Sequence, residues 1–565
     1  VIGVLASLAL LLTALTGCAS PGDAAAEPAP TYTATARAPQ APAVVLPAAA
    51  PETLAVQASR AFFDAAPVAL VAPVDEPGAQ LAGASLAVAA GLPVLLAGRA
   101  GLGPEAEAEL ARLGTGTVLT VGAVPGLAPA DPREEGGEPA ATPTGPAFHV
   151  VPVPPDAGTL AAALGNGLAA TTVPAGGEVA AIAALDPAAP TLLLPAAAAP
   201  SPTASPGPSP TAVPGFPALA PTRRVSGVTV LSDGAPGQLA AVGTAAAAGA
   251  DVLVVPGGDP RGSSAAIRTL AAAPADPVVA LGPAFGGDDD LGWRVATART
   301  GVELPGGTQL VFPGNTMNVA LYGTPGSAAL GVLGEQGVPE TIARAREHAA
   351  AFEPYTDDVV VPSLEIIATI ASGGPGPDGN YSAERGVTEL RPLIDAAREA
   401  GLYVVLDLQP GRTDFLTQAR QYEELLREPH VGLALDPEWR LAPGQVHLRQ
   451  IGSVDIAEVN QVVTYLADLT RANRLPQKLL VLHQFRASML RDRARLDTSR
   501  SELAITIHVD GQGTQPEKAA TWGRLLLDAP PVHWGWKNFY DEDSPMLTPA
   551  QTMQIVPTPD LVTYQ

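Results

Sequence analysis

The chain has 565 residues, of which 58 are Gly and 60 are Pro, about a fifth of the whole against roughly 12% in average usage. That length and that excess of turn formers exclude one small module and imply several units joined by linkers. Acidic residues number 56 against 32 basic ones, the net charge is −24, and no Lys precedes Lys478, so the electrostatic footprint of a nucleic-acid binder is missing and no nucleic-acid partner is expected. Cys18 is the only cysteine, which excludes an intrachain disulfide and a thiolate zinc site.

Val1 to Leu15 is an uncharged apolar run, short for a membrane span and of the length of a signal-peptide core. It leads into Leu15-Thr16-Gly17-Cys18 and then Ala19-Ser20, which resembles the lipobox of bacterial lipoproteins. The resemblance implies cleavage before Cys18, lipidation of its thiol, and an extracytoplasmic protein held to the membrane by that lipid. Residues 1–18 are therefore expected to be the signal and lipobox. Residues 19–55, rich in Ala, Pro and Thr, are expected to be a disordered tether.

Leu81 to Gly98 and Leu239 to Gly257 align without a gap at an offset of 158 residues, each reading as a small-residue helix, a Gly and an apolar strand. Short strands are expected before them, at Val68 to Ala72 and Val228 to Leu231, and after them, at Thr117 to Gly122 and Val278 to Gly282. Continuous apolar strands alternating with helices predict a parallel sheet covered on both faces. Further strands are expected at Phe148 to Val153 and Leu192 to Leu194. The boundaries read as an α/β region over 56–195, a Pro/Ser linker over 196–222 and a second copy over 223–300. Gly257-Gly258-Asp259 and Gly262-Ser263-Ser264 read as a turn and helix cap, since no Walker Lys accompanies them. The first copy, through its helix, its strand and the closing Leu119-Thr120-Val121-Gly122, resembles the cell wall-binding repeat 2 family of bacterial surface proteins. That family implies non-covalent attachment to a wall polymer.

Beyond about Asn315 the composition changes, with four of five Trp, all three Lys and six of seven His. Eight strands are expected there, at Asn318 to Tyr322, Val359 to Ile370, Leu402 to Leu408, Val431 to Leu435, Lys478 to His483, Glu502 to His508, Val532 to Trp536 and Leu561 to Tyr564. Helical stretches separate them, including one over Arg486 to Arg495. The fold class is therefore α/β, with an N-terminal parallel-sheet repeat region followed over 310–565 by a (β/α)8 barrel.

Barrel chemistry sits at the C-terminal ends of the strands. Strand two carries Glu365, strand three ends in Asp407, strand four in Asp436-Pro437-Glu438-Trp439, and strand five in His483. Strand six ends in His508-Val509-Asp510, strand seven in Trp534-Gly535-Trp536-Lys537, and strand eight in Tyr564. Strand alternation would point Asp436 and Glu438 together into the mouth, where each raises the other's cost of ionisation and Glu438 can stay protonated as a general acid. A second carboxylate would be Asp407, Asp510 or Asp541. Trp439, Trp534 and Trp536 are expected to stack on sugar faces, with His483, His508, Lys537 and Tyr564 completing the binding surface.

The Asp-x-Glu ending strand four resembles glycoside hydrolase barrels of the chitinase and muramidase type. The resemblance implies hydrolysis of an envelope polysaccharide without a cofactor or metal. Two other readings remain open from the residues. One is a barrel that binds wall carbohydrate without cleaving it. The other takes His483, His508, Asp407, Asp436 and Asp510 as ligands of a hydrolytic metal ion.

Overall fold

The computed structural model describes residues 31–127, 148–164, 168–196 and 213–565. The expected signal and Cys18, the start of the tether and residues 197–212 of the linker lie outside the described residues. No helix among the described residues is long and apolar enough to cross a membrane.

Residues 31–55 differ from the expected tether. Thr31–Tyr32 pairs in parallel with Ala218–Leu219, strand β1 (Ala43–Leu46) joins a sheet, and helix α1 (Pro51–Phe62) buries Leu54, Ala55, Ala58 and Phe62. Composition hides this because Val44-Val45-Leu46 is a short apolar run in Ala/Pro surroundings. Its partner strand is more than two hundred residues away, with Val45 opposite Ala280.

Two four-stranded parallel sheets follow. The first has the order β3-β2-β4-β5, from β2 (Val68–Pro73), β3 (Val94–Ala97), β4 (Thr117–Val121) and β5 (His149–Val153). The second has the order β7-β6-β8-β1, from β6 (Thr229–Ser232), β7 (Asp251–Val254) and β8 (Val278–Leu281). Thus β1, which leads through α1 into the first sheet, completes the second. The expected strand around Leu192 forms as Thr191–Pro195, paired with Ala169–Val173 outside both sheets.

Helices α2 (Pro77–Ala90) and α3 (Pro104–Leu113) serve the first sheet, and α4 (Leu239–Ala248), α5 (Ser264–Ala272) and α6 (Asp288–Ala298) the second. Small residues surround α2 and α4 on all sides, so both are buried and pack against each other between the sheets. At their crossing a Cβ on Gly243 would stand 2.8 Å from the Ala84 Cβ. The Gly257 to Ser264 segment is a pair of tight turns, with the Ser263 hydroxyl accepting from the Ala266 N–H at 3.3 Å to cap α5.

The C-terminal region is a closed barrel of eight parallel strands. They are β9 (Thr316–Gly323), β10 (Val359–Ala371), β11 (Tyr403–Leu408), β12 (Val431–Leu435), β13 (Lys478–His483), β14 (Leu503–Val509), β15 (His533–Asn538) and β16 (Leu561–Tyr564). Closure is made by β9, which pairs with both β10 and β16. Helices α7 (Val338–Ala350), α8 (Val387–Ala400), α9 (Phe415–Gln421), α10 (Ile456–Ala472) and α11 (Gln515–Leu526) cover the outside. Leu304, Val311 and Phe312, on the segment entering the barrel, pack with Ala320, Val361, Val405, Leu479 and Leu561 to fill its lower interior.

The helix expected over Arg486 to Arg495 does not form. Two single 3₁₀ turns flank Leu490–Arg491, which pairs with Val454–Asp455, and Asp492 takes a left-handed φ of 58°. The only large apolar residues there, Met489 and Leu490, are adjacent, so no face repeats every 3.6 residues to be buried as a helix.

The two regions meet at Trp293 of α6, whose ring takes the guanidinium groups of Arg261, 4.4 Å away, and Arg471 on α10, 4.8 Å away. Arg471 also pairs with Asp290 at 3.0 Å.

Candidate active site at the barrel mouth

Alternation selects the inward-facing residues of each strand, which are apolar in the lower interior and polar at the top. Tyr322, Glu365, Asp407, His483, His508, Lys537 and Thr563 form the upper layer, all almost fully buried. At its centre His483 donates from Nε2 to Glu365 Oε1 at 2.7 Å and from Nδ1 to Asp510 Oδ2 at 2.9 Å. The Asp407 carboxylate accepts from the Tyr322 hydroxyl at 2.9 Å, and the Lys537 ammonium lies 3.5 Å from the centre of the Tyr322 ring. His508 shares a hydrogen bond with the Thr563 hydroxyl at 3.1 Å. Room for its imidazole depends on Gly535, where a Cβ would meet His508 Cδ2 at 2.6 Å.

Burial opposes the imidazolium form of His483, but Glu365 and Asp510 outweigh it and hold this group well above the usual histidine range. Burial and the neighbouring His483 charge together push His508 well below that range. The carboxylates divide in the same way. Burial favours the acid form of Asp510, yet its bond to His483 keeps it below the ordinary aspartate value. Burial raises Asp407 to about 6, partly relieved by His483, and lifts Asp436 well above the aspartate range with Asp407 and Asp510 adding repulsion.

Asp436 and Glu438 do not share a strand face as alternation predicts. β12 stops at Leu435, and Pro437–Trp439 is a 3₁₀ turn capped by the Asp436 carboxylate, which accepts from the Glu438 N–H at 3.3 Å. Proline cannot donate to the sheet, so the chain leaves the strand there. Asp436 is buried beneath, whereas half-buried Glu438 reaches a cleft of about 360 Å³ lined also by Trp439, His447, Leu448, Arg449 and Arg486. Burial and the nearby Asp510 charge raise Glu438 to about 7.

Three expected binding residues lie elsewhere. Trp534 and Trp536 face outward, packed against Trp522 of α11 at centroid distances of 5.7 and 5.6 Å. Tyr564 also faces outward, against His348 at 4.9 Å and Tyr540 at 5.9 Å. In β15 and β16 it is the alternate residues, Lys537 and Thr563, that point inward. Of the expected aromatic platforms only Trp439 borders the cleft.

Sequence reasoning left Glu365 and Tyr322 out of the site. Glu365 is named on strand two but given no role because it stands in mid-strand, although a lone carboxylate within Val359 to Ile370 is a usable signal. Tyr322 carries no such signal, because aromatic residues are ordinary in strands.

Glu365, His483 and His508 each offer a donor atom within 4.8 Å of the others, a spacing a metal ion could span. Both nitrogens of His483 are engaged by carboxylates, and a coordinating histidine needs a free lone pair. The donor set as arranged therefore fits an imidazolium held between carboxylates better than a metal ion.

No protein-family model matches the chain, and no curated protein matches it. Among solved structures the chain is similar to Cwp6 from Clostridium difficile, with a TM-score of 0.32, 12% identity, and coverage of 67% of this chain and 66%, just under two thirds, of that one.

Proposed function

We propose that the barrel binds and hydrolyses an envelope polysaccharide, with Glu438 as the general acid. One observation carries this reading: a half-buried carboxyl on a cleft, held near neutrality beside an aspartate kept ionised. Environments that push two carboxyl groups apart in this way assign one the proton and the other the charge. A glycosidic oxygen is a poor leaving group until protonated, and a carboxyl raised to about 7 is mostly protonated at pH 6 and still about half protonated at pH 7. Asp510, fixed by His483, would supply the negative charge, and Trp439 a face for a sugar ring. Asp407 and Asp436, buried behind it, would set the local field rather than touch substrate.

In the same reading the two N-terminal sheets are repeats of one unit that attaches to the wall, and Cys18 carries a lipid that holds the protein to the outer face of the membrane. The support for these parts is the 158-residue offset between matching segments and the lipobox-like Leu15 to Cys18. Release of reducing ends from a panel of envelope polysaccharides by the full chain in detergent, run beside Glu438→Gln, tests the catalytic part. Release that is lost in the variant supports it. Release that persists there removes Glu438 from the role, and no release on any glycan favours a barrel that only binds.

A further inference from the structure

The cleft beside Glu438 has a charge pattern that the reaction itself does not require. Carboxylates outnumber basic groups 56 to 32 in this chain, yet two arginines on one cleft have neither a carboxylate nor another acceptor among the described residues. Their neighbours on this face of the barrel are engaged by the protein. Arg440 is paired with Glu458 at 3.0 Å, and Arg412 donates to the Gln445 carbonyl at 2.9 Å. Arg491 donates to the Ser453 hydroxyl at 2.5 Å, and Arg493 to Gln484 Oε1 and the Leu525 carbonyl, both at 2.8 Å. Arg449 and Arg486 differ. Both are exposed, both line the cleft, and neither makes an ion pair with any described residue. His447 turns Nε2 to the Tyr381 carbonyl at 2.9 Å and leaves Nδ1 buried without a partner on the same wall.

Resting on the catalytic reading above, we infer that this cleft selects a glycan bearing an anionic group, a carboxylate or phosphate, which Arg449 and Arg486 receive while Trp439 supports the adjoining sugar ring. Guanidinium groups suit this task because they present two parallel N–H donors to such an oxyanion. A neutral glycan can offer these cations only hydroxyl acceptors and no charge to pair with. An acidic one also needs them to enter, since the net charge of −24 otherwise repels it.

The test is calorimetric binding to the full-length Glu438→Gln chain, so that turnover does not intervene. Three tetra- or pentasaccharide probes are compared: a hyaluronan tetrasaccharide (carboxylate), a mannopentaose phosphate and neutral chitotetraose. At least one anionic probe should bind about tenfold or more tighter than chitotetraose at low salt, with the preference shrinking as salt screens it. Adding Arg449→Gln and Arg486→Gln should bring that probe down to the level of chitotetraose while leaving chitotetraose unchanged. Equal binding of all three, no binding of any, or a preference that survives both arginine substitutions would overturn the inference. Charge-selective binding by a chain that releases no reducing ends would leave this inference standing and remove only hydrolysis. Hydrolysis without charge selectivity would do the reverse.

Discussion

His483 and Asp510 meet through an Nδ1 to Oδ2 hydrogen bond of 2.9 Å at the top of the barrel, at the ends of adjacent strands and almost wholly buried. Together with the Glu365 contact at 2.7 Å, that bond keeps a positive imidazolium and a negative carboxylate in a place where neither would survive alone. It also creates the field in which Glu438 holds its proton, since the Asp510 charge adds to burial in raising that carboxyl.

Replacing His483 by Leu should destabilise the barrel by about 3–5 kcal/mol at pH 7, because Glu365 and Asp510 would be left as buried unpaired charges. The loss should be smaller at pH 4, because Asp510 without His483 is raised by burial and takes up a proton there. The folded imidazolium lies above its unfolded value, so its contribution is complete below about pH 6.5 and fades as pH rises through the higher folded value. Asp510 has the opposite sign, contributing above about pH 4 and losing its contribution on acidification. Denaturant unfolding of both forms at the two pH values measures this, and equal losses at both would contradict it.

Activity should fall as pH rises through about 7, as the Glu438 acid gives up its proton. Glu438→Gln should lower kcat by roughly 10²–10⁴-fold. The same variant should be more stable than the parent at pH 8, by about 1–3 kcal/mol. A raised carboxyl costs stability once pH exceeds its unfolded value near 4.5, and the amide has no such cost. At pH 4 the difference should vanish, which thermal melts across this range would check.

Gly535→Ala should cost about 1–3 kcal/mol, the usual range for overpacking a filled interior. The new Cβ would stand 2.6 Å from His508 Cδ2, so either the imidazole leaves Thr563 or the strand shifts. A melting temperature equal to that of the parent would show that the barrel interior yields there at no cost.

Gly243→Leu should destabilise the N-terminal region while leaving reducing-end release at the barrel intact. Its Cβ would lie 2.8 Å from the Ala84 Cβ and force α2 and α4 apart, at about 1–3 kcal/mol or more. Limited proteolysis should then cut first before residue 300, and initial cleavage within the barrel would oppose this.

The amino-acid sequence by itself determined the eight barrel strands and their order, because strands buried on both faces must be continuous apolar runs of fitting length. Lys478 to His483, Val431 to Leu435 and Leu561 to Tyr564 have their expected limits, and the other five barrel strands differ by a few residues at their ends. Local pattern also marked Asp407, His483, His508 and Lys537 of the polar upper layer, and left out Tyr322, Glu365 and Thr563. Only the tertiary structure decided which alternate residues turn inward, placing Lys537 and Thr563 inside while Trp534, Trp536 and Tyr564 pack outside. A two-residue period has no absolute phase until the partner layers are known, and aromatic and polar residues alternate in β15 without saying which faces the core. The same limit hid β1, whose reason for being a strand is a partner far along the chain, and the pairing of His483 with Glu365, which 118 residues of sequence separate and one closed barrel brings together.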